Sequence, residues 1–86
     1  MAVTYKFPTI VKGSEGGHVK TVQSILKARG FVGEDGKELE LDGEAGSNTM
    51  FAIASYITAR KEQGVDLGGT DGWGPLCYAD QNWPKK

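Results

Sequence analysis

Two stretches of the chain place apolar residues at intervals of three and four, the spacing of a helix face. In HVKTVQSILKARG (18–30), Val19, Val22 and Leu26 form the stripe, and Ile25 and Ala28 widen it. Lys20, Lys27 and Arg29 fall mostly away from it. The spacing predicts a helix over about 16–29, stopped by Gly30 in the left-handed conformation that glycine adopts cheaply. In TMFAIASYITARKEQG (49–64), Met50, Phe51, Ile53, Tyr56 and Ile57 spread around most of the circumference. Such a helix is expected to lie centrally, with neighbours on several sides. Ser47 or Asn48 is placed to cap its first turn, and Gly64 to end it.

The remaining segments read as connections. Residues 1–12 (MAVTYKFPTIVK) carry β-branched and aromatic residues around Pro8, which argues for an extended arm. In 31–46 (FVGEDGKELELDGEAG), Leu39 and Leu41 alternate with Glu38, Glu40 and Asp42, as in a short extended piece or hairpin. After VDLGGTDG comes a short segment from Gly74 to about Asp80, then the tail QNWPKK. The expected architecture is all-α: a compact three-helix bundle with a short third helix, Gly-rich loops and an extended N-terminal arm.

With 86 residues the chain is one domain, 1–86, with its core over about 9–80 and a tail at 81–86. A chain of this size buries about 60–65% of its unfolded surface, enough for a small core but hardly for a deep catalytic cavity as well. Ten basic residues against 11 acidic ones give a net charge of −1, without the basic face of a nucleic-acid binder or an electrostatic pull toward anionic lipid. One cysteine excludes an intrachain disulfide, and one His with one Cys cannot by themselves supply a tetrahedral zinc site. No cofactor is implied. No apolar run approaches 18 residues, and Met1–Ile10 lacks the basic and apolar regions of a signal peptide.

Glycine is the outlier, with 13 residues, about twice the usual share of ~7%. Two stretches, LDGEAGSNT (41–49) and GTDGWGPLCY (69–78), each join an Asp–Gly to a second Gly ahead of an expected helix. A phosphate-binding loop would need GxxxxGK[ST] after a strand, and neither stretch has the lysine. A calcium loop needs oxygen ligands at alternate positions, yet from Asp35 those positions hold Lys37 and Leu39. The turn reading fits both: Asp bonds the backbone ahead of it, Gly takes a positive φ, and a further Gly lets the backbone pass close to a helix.

The pattern Gly13-x-x-Gly16-x-x-Val19-x-x-Val22-Gln23-x-x-Leu26-x-x-x-Gly30-Phe31 resembles the first half of the peptidoglycan-binding domain family. Asp42-Gly43-x-x-Gly46-x-x-Thr49-x-x-Ala52-Ile53-x-x-Tyr56 is similar to its second half. Gly64-Val65, Asp71-Gly72-x-Gly74-Pro75 and Tyr78 are similar to its third part. These are small three-helix modules attached to bacterial and phage cell-wall hydrolases. The chain departs from the family at Ile57, where a Gln is usual, at Cys77–Tyr78, where Thr–Trp is usual, and in a longer 32–41 loop. The resemblance implies non-catalytic binding of peptidoglycan by a monomer, with a cell-wall hydrolase as attached or partner protein. It also implies a location at the cell wall, outside the cell or in a phage-encoded lysin, without contact with nucleic acid or membrane.

The candidate ligand-binding residues are Trp73, Asp42, Gly43, Thr49, Gln23 and Tyr78, with no catalytic or metal residues. Each has a structural alternative. Gln23 is placed to bond the loop backbone at Asp42–Gly43, and Asp42 and Thr49 to brace the second helix. Trp73, between two glycines, either covers the core or offers a flat face to a sugar. Tyr56 and Tyr78 read as core residues with hydroxyls reaching the surface. His18 reads as a solvated histidine and Cys77 as a small buried apolar residue. Two other functions compete: a protein-docking module on the same fold, favoured if Ile57 is exposed, and a small hydrolase resting on the acidic 34–44 loop and His18.

Overall fold

The computed structural model describes residues 9–70, 72–74, 77 and 80. Among the described residues two helices form, α1 (Gly17–Ala28) and α2 (Ser47–Glu62), and β-pairing is confined to isolated bridges. The class is all-α. Most of the segment read as a third helix lies outside the described residues, as do most of the N-terminal arm and the whole 81–86 tail.

Both helices end in the same way. Phe31 N–H donates to Leu26 O (2.9 Å) and Gly30 N–H to Lys27 O (3.1 Å), with Gly30 at φ +85°. Val65 N–H donates to Arg60 O (2.9 Å) and Gly64 N–H to Lys61 O (3.0 Å), with Gly64 at φ +87°. These paired bonds satisfy carbonyls that a helix end otherwise leaves free. They place Phe31 and Val65 against the core.

The core lies between the helices. Val19, Val22 and Leu26 of α1 join Ala52, Ile53, Tyr56 and Ile57 of α2, closed by Ile10, Leu39, Leu67 and Trp73. Tyr56 is its centre: Phe31 meets its ring edge-on at 5.4 Å, and Trp73 lies 5.0 Å away on a tilted plane. The apolar circumference expected for α2 is not fully covered. Phe51 is 45% exposed, because the described loops pack on the opposite side of the helix, around Thr49, Ile53 and Tyr56.

The cap also differs from expectation. Gly46, not Ser47 or Asn48, occupies the N-cap position, in extended conformation and without a side-chain cap bond. The Asn48 amide is directed instead to Asp35 (Nδ2 to Oδ2, 3.4 Å).

Both Asp–Gly stretches work as backbone docking points for the segment that precedes α1. Gly16 N–H donates to Gly43 O (2.9 Å), while Gly13 and Ala45 N–H groups bond Ala45 O and Ser14 O. Ile10 and Trp73 exchange both N–H···O bonds at 2.9 Å. Gly43 adopts φ +75°, and a Cβ at Gly72 would stand 2.8 Å from Ile10 O. The turn reading therefore holds for Gly43, and close approach accounts for Gly72. Gly72→Ala is expected to lower stability by about 1–3 kcal/mol, the usual cost of forcing an extra carbon into a packed site. Gly17→Ala, which meets nothing within 4 Å in the first turn of α1, serves as the neutral control in urea denaturation.

Asp80 is fastened to α2 by charge. Arg60 of α2 grips Asp80 with Nε (2.8 Å) and Nη2 (3.0 Å), and both side chains are almost wholly buried, at 6% and 5% exposure. Tyr56 donates its hydroxyl proton to Asp80 and accepts from Arg29 of α1. Burial first, then the bond to Asp80, raises the Tyr56 hydroxyl pKa well above its ordinary range.

Candidate functional site

Gln23 sits one residue past Val22 on α1, at the edge of the apolar stripe, and is only 1% exposed. Its Nε2 donates to Asp42 Oδ1, Glu44 O and Thr49 Oγ1, each at 2.9 Å. Its Oε1 accepts from Gly43 N–H at 3.0 Å. One amide thus joins α1, the 42–44 turn and the first turn of α2. Two hydrogens face three acceptors, so the bonds are shared, and the Thr49 hydroxyl is also within 3.4 Å of Glu44 O. Asp42 Oδ1 accepts in addition from Glu44 N–H (3.0 Å). That backbone bond, followed by the Gln23 amide, holds the Asp42 carboxyl below its ordinary pKa.

The sequence groups Gln23, Asp42, Gly43 and Thr49 as candidates, and the structure joins all four. Their polar atoms face one another, however, and their arrangement braces the fold. Gly43 and Thr49 are buried, while Asp42 keeps an exposed edge.

Trp73 takes the structural side of its alternative. It is 1% exposed, its ring packed on Tyr56, so it offers no flat face to a sugar. The backbone exchange with Ile10 turns its side chain into the core. Tyr78 lies outside the described residues. Ile57 is 1% exposed, which corrects the idea that its departure from the family pattern creates an apolar surface. Its place on the stripe with Ile53 points it inward. Cys77 is buried, and burial is the main cause of its raised thiol pKa. His18 is half-buried, its ring close above Gly16.

Beside the Gln23 clamp a groove of about 290 Å³ opens. It is lined by the turn around Asp35–Glu38, by Leu39, and by the first turn of α2 with Ser47, Asn48 and Thr49. Asp35, Glu38, Glu40, Asp42 and Glu44 supply carboxylates to its lining, and Lys37 an ammonium. Sequence reasoning alone leaves these acids on a solvated loop and places the extended piece around Leu39–Leu41. The hairpin instead closes one turn earlier, at 32–38. Val32 bridges Glu38, Gly33 N–H donates to Lys37 O (2.9 Å), and Gly36 turns at φ +77°. The signal is the dipeptide Asp35–Gly36: Asp35 Oδ1 accepts from Lys37 N–H at 2.9 Å, the side-chain bond that makes Asp–Gly a turn former.

The groove is partly open, and its lining is mostly polar and acidic. Among the described residues no group of three or more His, Cys, Asp or Glu is arranged to hold a metal ion. Among them, too, no helix is long and apolar enough to cross a membrane. No protein-family profile, curated protein or solved structure matches the chain.

Proposed function

We propose that this chain is a non-catalytic module that holds bacterial cell-wall peptidoglycan and brings an attached or partner hydrolase to it. One observation carries the reading. Four residues through which the chain resembles the peptidoglycan-binding family, Gln23, Asp42, Gly43 and Thr49, are joined in one hydrogen-bonded clamp linking both helices. On this reading the fold is the three-helix bundle of that family, with Gly74–Asp80 as its short third helix. The bonds from Cys77 N–H to Gly74 O (3.0 Å) and Asp80 N–H to Cys77 O (3.2 Å) support it. The ligand surface is the groove beside the clamp, and the clamp is its scaffold. Weak contact suffices, because a tethered enzyme works at high effective concentration once the module rests on the insoluble polymer.

Co-sedimentation of the chain with insoluble peptidoglycan, beside cellulose and chitin, tests the proposal. Selective pelleting at ~10–100 µM is expected, the range in which a weak, avidity-assisted module works. Lys37→Ala, which removes one groove donor, is expected to weaken it about fivefold, the equivalent of one hydrogen bond of about 1 kcal/mol. Trp73→Ala is unsuitable as a site probe, since it empties the core. If the folded chain stays in the supernatant at these concentrations, the wall-binding proposal falls.

Protein docking is the second reading, and one observation favours it. Exposed Phe51 stands beside Ala54, Ser55, Thr58 and Ala59 on a face of α2 that no described residue covers. Failure to pellet, with Phe51→Ser abolishing capture by a hydrolase domain, would select it.

A further inference from the structure

Gly33 and Asn48 approach more closely than any other residue type at position 33 would permit. A Cβ built on Gly33 would lie 2.7 Å from Asn48 Cβ and Cγ and 2.8 Å from its Oδ1. Real carbon–carbon contacts settle near 3.5–4.0 Å. The obstruction is not the far end of a flexible side chain, because Asn48 Cβ is fixed to the first turn of α2. Gly33 has no positive φ, so glycine is needed here for space and not for backbone conformation.

The same hairpin forms one wall of the groove. Asp35, Lys37 and Glu38 line it, and so does Asn48, which the hairpin touches. The position of the 32–38 hairpin on α2 therefore helps set the shape of the groove. Besides the Gly33 approach, the hairpin meets Asn48 through Asp35 (3.4 Å) and reaches α1 through Glu38 and Lys27 (3.7 Å), both exposed contacts of little strength. The approach at Gly33 is the tightest of these contacts, and Phe31 and Leu39 on either side of the hairpin pack on the core.

We infer that the 32–38 hairpin is the selectivity wall of the groove and that Gly33 is a positioning residue, seating that wall against Asn48. The inference rests on the proposed peptidoglycan reading and deepens it, naming the element that decides which polymer enters. A methyl group at position 33 displaces the wall by about 1 Å, the gap between 2.7 Å and a normal carbon contact. The groove then changes shape, while the apolar core cluster, to which buried Gly33 contributes no side chain, stays intact.

The test combines two measurements on the full chain. Amide hydrogen exchange of the free protein reports the wall: in Gly33→Ala, the bonded amides of Gly36 and Lys37 are expected to exchange at least threefold faster, with Val22 and Leu26 of α1 unchanged. The double variant Gly33→Ala/Asn48→Gly, which removes the obstructing Cβ, is expected to restore their protection. Co-sedimentation reports selectivity: the ratio of peptidoglycan to chitin bound is expected to fall at least threefold in Gly33→Ala. Unchanged hairpin exchange, or loosening that spreads to α1, overturns the positioning role. A loosened hairpin with an unchanged binding ratio overturns the selectivity role. If the unaltered chain binds no peptidoglycan, the reading beneath falls and takes the selectivity role with it, while the exchange result still decides whether Gly33 seats the hairpin.

Discussion

Asp80→Ala is expected to cost about 3–5 kcal/mol, the range for removing one partner of a buried ion pair. The magnitude follows from what the substitution leaves behind. Arg60 loses both bonds of its fork to the carboxylate while its side chain stays almost wholly buried. Tyr56 loses the carboxylate that accepts its hydroxyl proton at the centre of the core. An 86-residue domain holds about 4–13 kcal/mol in all, so the loss is a large fraction of the total stability. Urea denaturation followed by circular dichroism measures it. Arg60→Met with Asp80→Leu should cost much less than the two single changes added together, because apolar replacement removes both buried charges at once. If the costs simply add, the two residues are not coupled and Asp80 is held by something other than this ion pair.

The same cluster makes the fold sensitive to alkali. The Tyr56 hydroxyl is needed as a donor, and its folded pKa is raised above the ordinary value of 10.0 by burial and by Asp80. A raised folded pKa means that its stabilising contribution is fully present below pH 10 and fades as the pH climbs toward the folded value. Asp42 acts in the opposite sense. Its lowered pKa contributes stability above its ordinary 3.8 that is lost as the pH falls through the folded value. The Asp42 contribution is small, since the group is exposed.

Helix α1 is legible in the sequence to within a residue or so, because its stripe is narrow and a glycine in the left-handed region ends it. Helix α2 is legible in place but not in surroundings. A nearly uniform spread of apolar residues carries little directional information, so nothing in the sequence distinguishes buried Ile57 from exposed Phe51. Trp73 cannot be assigned from its glycine neighbours, since its direction is fixed by backbone pairing with Ile10, near the other end of the chain. Gln23 is the clearest polar signal: an amide beside a core stripe must find partners, and a turn rich in backbone N–H groups supplies them. The groove is the least legible part. Its wall depends on how closely Gly33 meets Asn48, a tertiary contact that alternation of Leu and Glu does not report.

Gln23 is where fold and site meet, and its substitution separates shape from hydrogen bonding. Gln23→Leu keeps the volume and is expected to cost about 2–4 kcal/mol, since a buried polar group left unpaired costs about 1–3 kcal/mol and Gly43 N–H has no other described acceptor in the clamp. Gln23→Glu is the sharper experiment. One carboxylate oxygen can still accept from Gly43, but the other replaces a donor with an acceptor facing Asp42 Oδ1, Glu44 O and Thr49 Oγ1. The buried position and the Asp42 charge would raise the folded pKa of the new carboxyl above the ordinary ~4.3. Its penalty is therefore expected to be full at pH 7 and to shrink as the pH falls through the folded pKa, where the protonated acid regains one donor. Thermal denaturation of Gln23→Glu and the native chain across pH 4–7 should show the gap between them narrowing toward acid. No gap at any pH would mean that volume, which Glu preserves, and not hydrogen bonding, is what Gln23 contributes, and the clamp would lose its place as the scaffold of the groove.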